Sequence, residues 1–136
     1  MSRLTSRPVL VLAGVLAASL TAAPALAATS TPTSLTLKAA KSMVATNAKD
    51  TLTGTLKSGN AADAGESVRL VKRAAGTTKF SNTGISKRTD VKGQVTLTVT
   101  PGTRKGQKEQ FMLVFNGDAA KHLKGSHSAV ITVTVS

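Results

Sequence analysis

Cysteine is absent from this 136-residue chain, as are tryptophan and tyrosine, and three phenylalanines make up the whole aromatic complement. Without cysteine there is neither a disulfide nor a thiolate metal site, so a packed core must hold the fold unaided. So few aromatic side chains leave no platforms for stacking nucleobases or sugar rings. Acids are scarce too: Asp50, Asp63, Glu66, Asp90, Glu109 and Asp118 are scattered over different turns, and the two histidines, His122 and His127, lie far along the chain. Hydrolytic catalysis needs a nucleophile beside a base, or two carboxylates at a set separation. No such pair is placed here, and the reading is a non-enzyme that uses no cofactor.

Long hydrophobic runs are also missing. The apolar run from Val9 to Leu20 counts 12 residues, short of the roughly 20 that span a bilayer. It follows Arg3 and Arg7 and precedes the small-residue stretch Ala22-Ala23-Pro24-Ala25-Leu26-Ala27. That three-part layout is a secretory signal peptide, residues 1–27, with Ala25 and Ala27 at the positions where signal peptidase accepts only small side chains. Cleavage after Ala27 leaves a mature chain of 109 residues with no transmembrane segment, secreted to the cell exterior or held at the cell surface.

What the mature chain has in excess is positive charge, with 16 basic residues against six acidic ones. Such an excess attracts polyanions. Outside a bacterial cell these are wall polymers bearing phosphate or uronate, anionic lipid, DNA or acidic proteins. A dedicated nucleic-acid role is disfavoured, because single-strand binders need aromatic platforms and duplex readers bring a helix or ribbon of known type.

Residues 28–33 are small, polar and interrupted by Pro32, the composition of a flexible lead. From residue 34 to 136 no segment shows a 3.6-residue apolar period, whereas alternation with period two recurs. Leu35 and Leu37 mark a first strand, Leu52, Gly54 and Leu56 a second, and Val68 and Leu70 a third. Phe80 and Ile85 mark one or two short ones. Val95, Leu97 and Val99 alternate with threonines after an Asp90-Val91-Lys92-Gly93 turn; Phe111, Leu113 and Phe115 follow, then Ile131, Val133 and Val135. Seven to eight short strands separated by turn signals give an all-β domain, a two-sheet antiparallel sandwich.

Several segments together resemble the bacterial Ig-like repeat domains of secreted and cell-surface proteins. They are Asp50 through Leu56, Ala64 through Leu70, Thr89 through Val95, Phe111 through Asp118, and Ser128 through Val133. The likeness runs from Leu35 to Val135. It implies an Ig-like sandwich and a role as a spacer, an adhesion module or a carbohydrate- or protein-binding module. The expected function is therefore a secreted binding or adhesion module, acting on an anionic cell-envelope polymer or an extracellular protein. The alternative is a structural, self-associating matrix or spacer protein.

Three groups of residues are candidate sites. Lys72, Arg73, Lys87 and Arg88 cluster in sequence around the third strand and the hairpin after it, and Arg104, Lys105 and Lys108 crowd one loop; either group offers a polyanion site. If the third strand and the last two share a sheet, as the Ig-like resemblance implies, Val71, Met112, Val114 and Val130 meet on its outer side. Such an apolar patch rimmed by arginine suits a protein partner or a second copy of the chain. Asp118, His122 and His127 are candidates for a metal site, set against an Asp that in a turn after Asn116-Gly117 bonds its own backbone and loop histidines that are mostly solvated.

Overall fold

The computed structural model describes residues 29–136, and residues Thr31–Ser136 form one compact unit. The signal-peptide region and its cleavage point lie outside the described residues. Among the described residues strands alone make up the regular structure: β1 (Ser34–Ala39), β2 (Met43–Val44), β3 (Asp50–Ser58), β4 (Ala61–Ala62), β5 (Ser67–Ala74), β6 (Ser81–Arg88), β7 (Gln94–Val99), β8 (Lys108–Phe115), β9 (Ser126–His127) and β10 (Ile131–Val135). No helix among these residues is long and apolar enough to cross a membrane.

The strands divide between two sheets. In one, β3 pairs with β1 along one edge and with β7, continued by β4, along the other. The other runs β2-β10-β8-β5-β6, with β9 extending β10 along the edge of β8. The period-two pattern explains the layering, because successive strand side chains point to opposite faces. Leu52 and Leu56 of β3, Leu97 of β7, Val68 and Leu70 of β5, Phe111 and Leu113 of β8 and Val133 of β10 are each at most 1% exposed and fill the space between the sheets. The outer face of the first sheet is a threonine surface, where Thr51 faces Thr98 and Thr53 faces Thr96 across the strands. β-Branched side chains pack well on a pleat while the hydroxyl meets water.

The sheet partners and the all-β, two-sheet architecture agree with the sequence. Three short strands, β2, β4 and β9, carry too few residues to alternate visibly. Phe80 stands just before β6 rather than in it, and β6 is a single eight-residue edge strand. The segment read as a flexible lead is tied down at its end. The Thr31 N–H donates to the His122 carbonyl (2.7 Å), and the Lys124 N–H donates to the Thr31 carbonyl (2.9 Å). Thr33 Oγ1 lies 2.8 Å from the Lys124 carbonyl and 2.7 Å from Ser126 Oγ. Backbone groups in a polar stretch take whatever partners a neighbouring loop exposes, and composition does not report this.

Candidate functional site

The sheet β2-β10-β8-β5-β6 has an outer face built by register. Arg69 of β5 lies between Ser86 of β6 and Val114 of β8, Val71 between Asn82 and Met112, and Arg73 beside Gln110. One end of this face, formed by the start of β5 and the ends of β6 and β8, continues into the loop after Phe115. That loop is shaped by its own hydrogen bonds. Gly117 adopts φ 94°, where a Cβ would meet the Leu123 carbonyl at 2.9 Å. Asp118 and Leu123 then exchange backbone hydrogen bonds of 3.0 and 2.9 Å. Asp118 Oδ1 accepts the N–H groups of Ala120 (3.0 Å) and Lys121 (3.3 Å).

The loop is anchored by charge to the residue just before β5. Lys121 Nζ sits 2.6 Å from Glu66 Oε2, the one ion pair among the described residues, and the Glu66 side chain is 4% exposed. Hydrogen bonding to Glu66 holds the Lys121 ammonium above its ordinary pKa, with desolvation opposing and the charges of Glu66, Asp118 and Asp63 assisting. Desolvation works against ionisation of Asp118. It is outweighed by the Lys121 and Ala120 N–H groups and by the Lys121 charge, so its carboxyl is net lowered.

Between this loop and β6 lies a groove of about 730 Å³, within the size range of small-ligand sites. Arg69 and Val114 lie on its sheet side, Asn82, Ser86 and Arg88 along β6, and Asn116, Asp118, Ala119 and Ala120 along the loop.

The residues singled out in the sequence do not form one cluster. Arg88 lines the groove and donates from Nη1 to the Gly65 carbonyl (2.8 Å). Lys87 pairs in register with the inward residue Val68, so it lies on the other side of β6. Lys72 lines a small inter-sheet cleft with Thr83, Ile85 and Phe111. Arg73 is half-buried; its guanidinium stacks 4.4 Å from the Phe80 ring centroid and donates through Nε to Gln110 Oε1 (2.7 Å). Arg104 and Lys105 are exposed in the loop before β8, and Lys108 opens that strand. This places them at the opposite end of β8 from the groove, roughly 20 Å away at about 3.3 Å per strand residue.

On the apolar face, Met112 and Val114 are half-buried and Val130 is 40% exposed, but Val71 is only 7% exposed. The β5–β6 register shifts between Arg69 and Val71, which draws Val71 in between its neighbours. Asp118, His122 and His127 are not gathered, and no group of three metal-ligating side chains occurs among the described residues. The groove itself was missed because β6 alternates poorly and the loop's alanines carry no chemical signal. The one available signal was Arg69, which alternates outward on a well-patterned strand.

In sequence the chain matches no family model and no curated protein. In structure it is similar to the D0-D1 domain of intimin, with 15% identity and TM-score 0.50, over 76% of this chain and 49% of that one. It is also similar to the Yersinia pseudotuberculosis adhesin InvE, with 14% identity and TM-score 0.51, over 77% of this chain and 33% of that one. The fold is Ig-like. The chain spans about half of the first protein and a third of the second, and at this identity the likeness speaks for the fold alone.

Proposed function

We propose that the chain is a secreted, non-catalytic Ig-like module that holds an anionic component of the cell envelope through its cationic surface. One observation carries this reading: the acids are used up inside the molecule and the cations are not. Asp50, Glu66 and Glu109 are buried at 3, 3 and 7% exposure, and a single lysine is ion-paired among the described residues. Asp90 and Asp118 spend a carboxylate oxygen on their own turns, Asp90 Oδ1 accepting the Lys92 and Gln94 N–H groups. An approaching polyanion therefore meets lysine and arginine with little opposing charge, a field that raises encounter rates and favours retention. The similarity of fold to an adhesin accords with surface contact as the mode of action.

A second reading is association with an extracellular protein, or with a second copy of the chain, through the outer face of the β5-β8-β10 sheet. Its support is the exposed Val130 beside half-buried Met112 and Val114. Retention of residues 28–136 on the producer's cell-wall fraction separates the readings, measured at about 20 and about 300 mM salt, where the Debye length falls from roughly 20 to 6 Å. Retention lost at the higher salt supports the polyanion reading. Capture of a discrete protein or of the domain itself at the higher salt, abolished by Val114→Lys, supports the second. Absence of wall retention at the lower salt removes the first.

A further inference from the structure

The groove beside Arg69 offers more than diffuse charge. Arg69 is half-buried on β5 and its side chain makes no hydrogen bond or ion pair with any described residue, although five N–H donors fan out from its guanidinium. Those donors are not committed elsewhere among the described residues and are available to an incoming acceptor. Arg88 stands diagonally across from it, because Arg69 faces Ser86 and Ser67 faces Arg88 in the β5–β6 register. Diagonal neighbours on one face lie about 7–8 Å apart, within the joint reach of two arginines. Arg88 uses one donor on the Gly65 carbonyl and keeps the rest.

Two acids, Glu66 and Asp118, share the lining with this pair, and Lys121, ion-paired with Glu66, leaves the groove with a net positive charge. Glu66 is closed against Lys121 at 2.6 Å, and Asp118 accepts two backbone N–H groups of its own loop. The remaining polar wall is Ser67, Asn82, Ser86 and Asn116, groups that both donate and accept. Apart from Phe115, whose ring is in the core, the apolar lining is Val114 and the two loop alanines, too little for a peptide's hydrophobic anchors. The one aromatic residue on the lining, Phe115, is 2% exposed with its ring in the core, so it offers no open face for sugar or base stacking.

Resting on the envelope-binding reading above, we infer that this groove binds a short stretch of acidic glycan, one sugar carboxylate taken by Arg69 with Arg88 assisting. Planar guanidinium matches carboxylate as a two-bond fork, which a lysine would not reproduce. The asparagine and serine side chains along the walls meet the sugar hydroxyls.

The test uses residues 28–136 with tetragalacturonate as the acidic probe, and a neutral tetrasaccharide and tetraglutamate as controls, at about 150 mM salt. Affinity is read by calorimetry and position by amide chemical shifts. Binding of the uronate alone, with shifts at residues 67–69, 82–88 and 114–120 and at least a roughly tenfold loss in Arg69→Gln and Arg69→Lys, supports the site. Unchanged shifts elsewhere in each variant show that the fold survives. Uronate shifts centred on residues 103–108, untouched by Arg69→Gln, overturn the groove while leaving the polyanion reading standing. Equal affinity for tetraglutamate overturns the glycan class. Failure of both uronate and wall fraction to bind removes the site together with the reading beneath it.

Discussion

Gly54 and Leu113 occupy one volume between the two sheets: the Cβ that any other residue would place at position 54 falls on Leu113 Cδ1. Gly54 is buried in the middle of β3, and a Cβ there would also press on the Thr36 carbonyl at 3.0 Å and Val95 Cγ2 at 3.3 Å. The missing side chain lets a leucine of the opposite sheet reach the β3 backbone. Gly54→Ala should therefore destabilise the domain by about 1–3 kcal/mol through overpacking, and Gly54→Val by more. Urea unfolding checks this, and an Ala variant as stable as the parent would show that Leu113 has a free alternative rotamer.

The same glycine illustrates what the sequence reveals. Leu52, Gly54 and Leu56 announce an inward row, and the row exists, as do those of Val95 to Val99 and Phe111 to Phe115. Strands that alternate are legible because burial writes itself into every second residue. The groove is not legible, since it depends on where β6 pairs and how the loop at 116–125 curls, both set by long-range hydrogen bonds. Val71 shows the limit within a well-read strand: parity puts it outside, and a register shift covers it.

The charges around Lys121 predict opposite pH arms. Lys121 is raised above its ordinary 10.5, so its contribution is complete below that value and is lost as pH rises through the raised pKa. Asp118 and Asp90 are lowered below 3.8, so theirs is complete above that value and is lost as pH falls through the lowered pKa. For Asp90 the Gln94 and Lys92 N–H groups are the leading causes. Melting temperature against pH should lose part of its acid arm in Asp90→Asn and part of its alkaline arm in Lys121→Met. A Lys121→Met profile parallel to the parent's would mean the ion pair contributes nothing to stability.

Two positions in one turn should respond in opposite ways. Val91 is 85% exposed, so Val91→Ser should change stability by no more than about 0.5 kcal/mol. Gly93 adopts φ 74°, and a Cβ there would stand 2.5 Å from the Leu56 carbonyl. Gly93→Ala should cost about 2 kcal/mol or more, from backbone strain and from displacing the Leu56 N–H to Gly93 carbonyl bond of 2.8 Å. Thermal unfolding of the pair decides it, the expectation failing if the two variants melt together.

Thr33 connects the segment before β1 to the groove's loop. Thr33→Val removes its hydroxyl from the Lys124 carbonyl and Ser126, an effect of about 1 kcal/mol. Its better signature is local: amide exchange should quicken at Leu123 and Lys124, which bond to Asp118 and Thr31, and stay unchanged at Leu113 in the core. Uniform acceleration would instead mean that the tie supports the whole fold.

The short strand β2 runs parallel to β10, with Thr134 and Ser136 N–H groups donating to the Ser42 and Val44 carbonyls at 2.9 and 2.7 Å. Because the two strands lie side by side and point the same way, tension that drags them apart lengthwise loads both bonds together instead of peeling them one by one. The domain is thus fastened where an early and a late segment meet, in the geometry that resists mechanical shear.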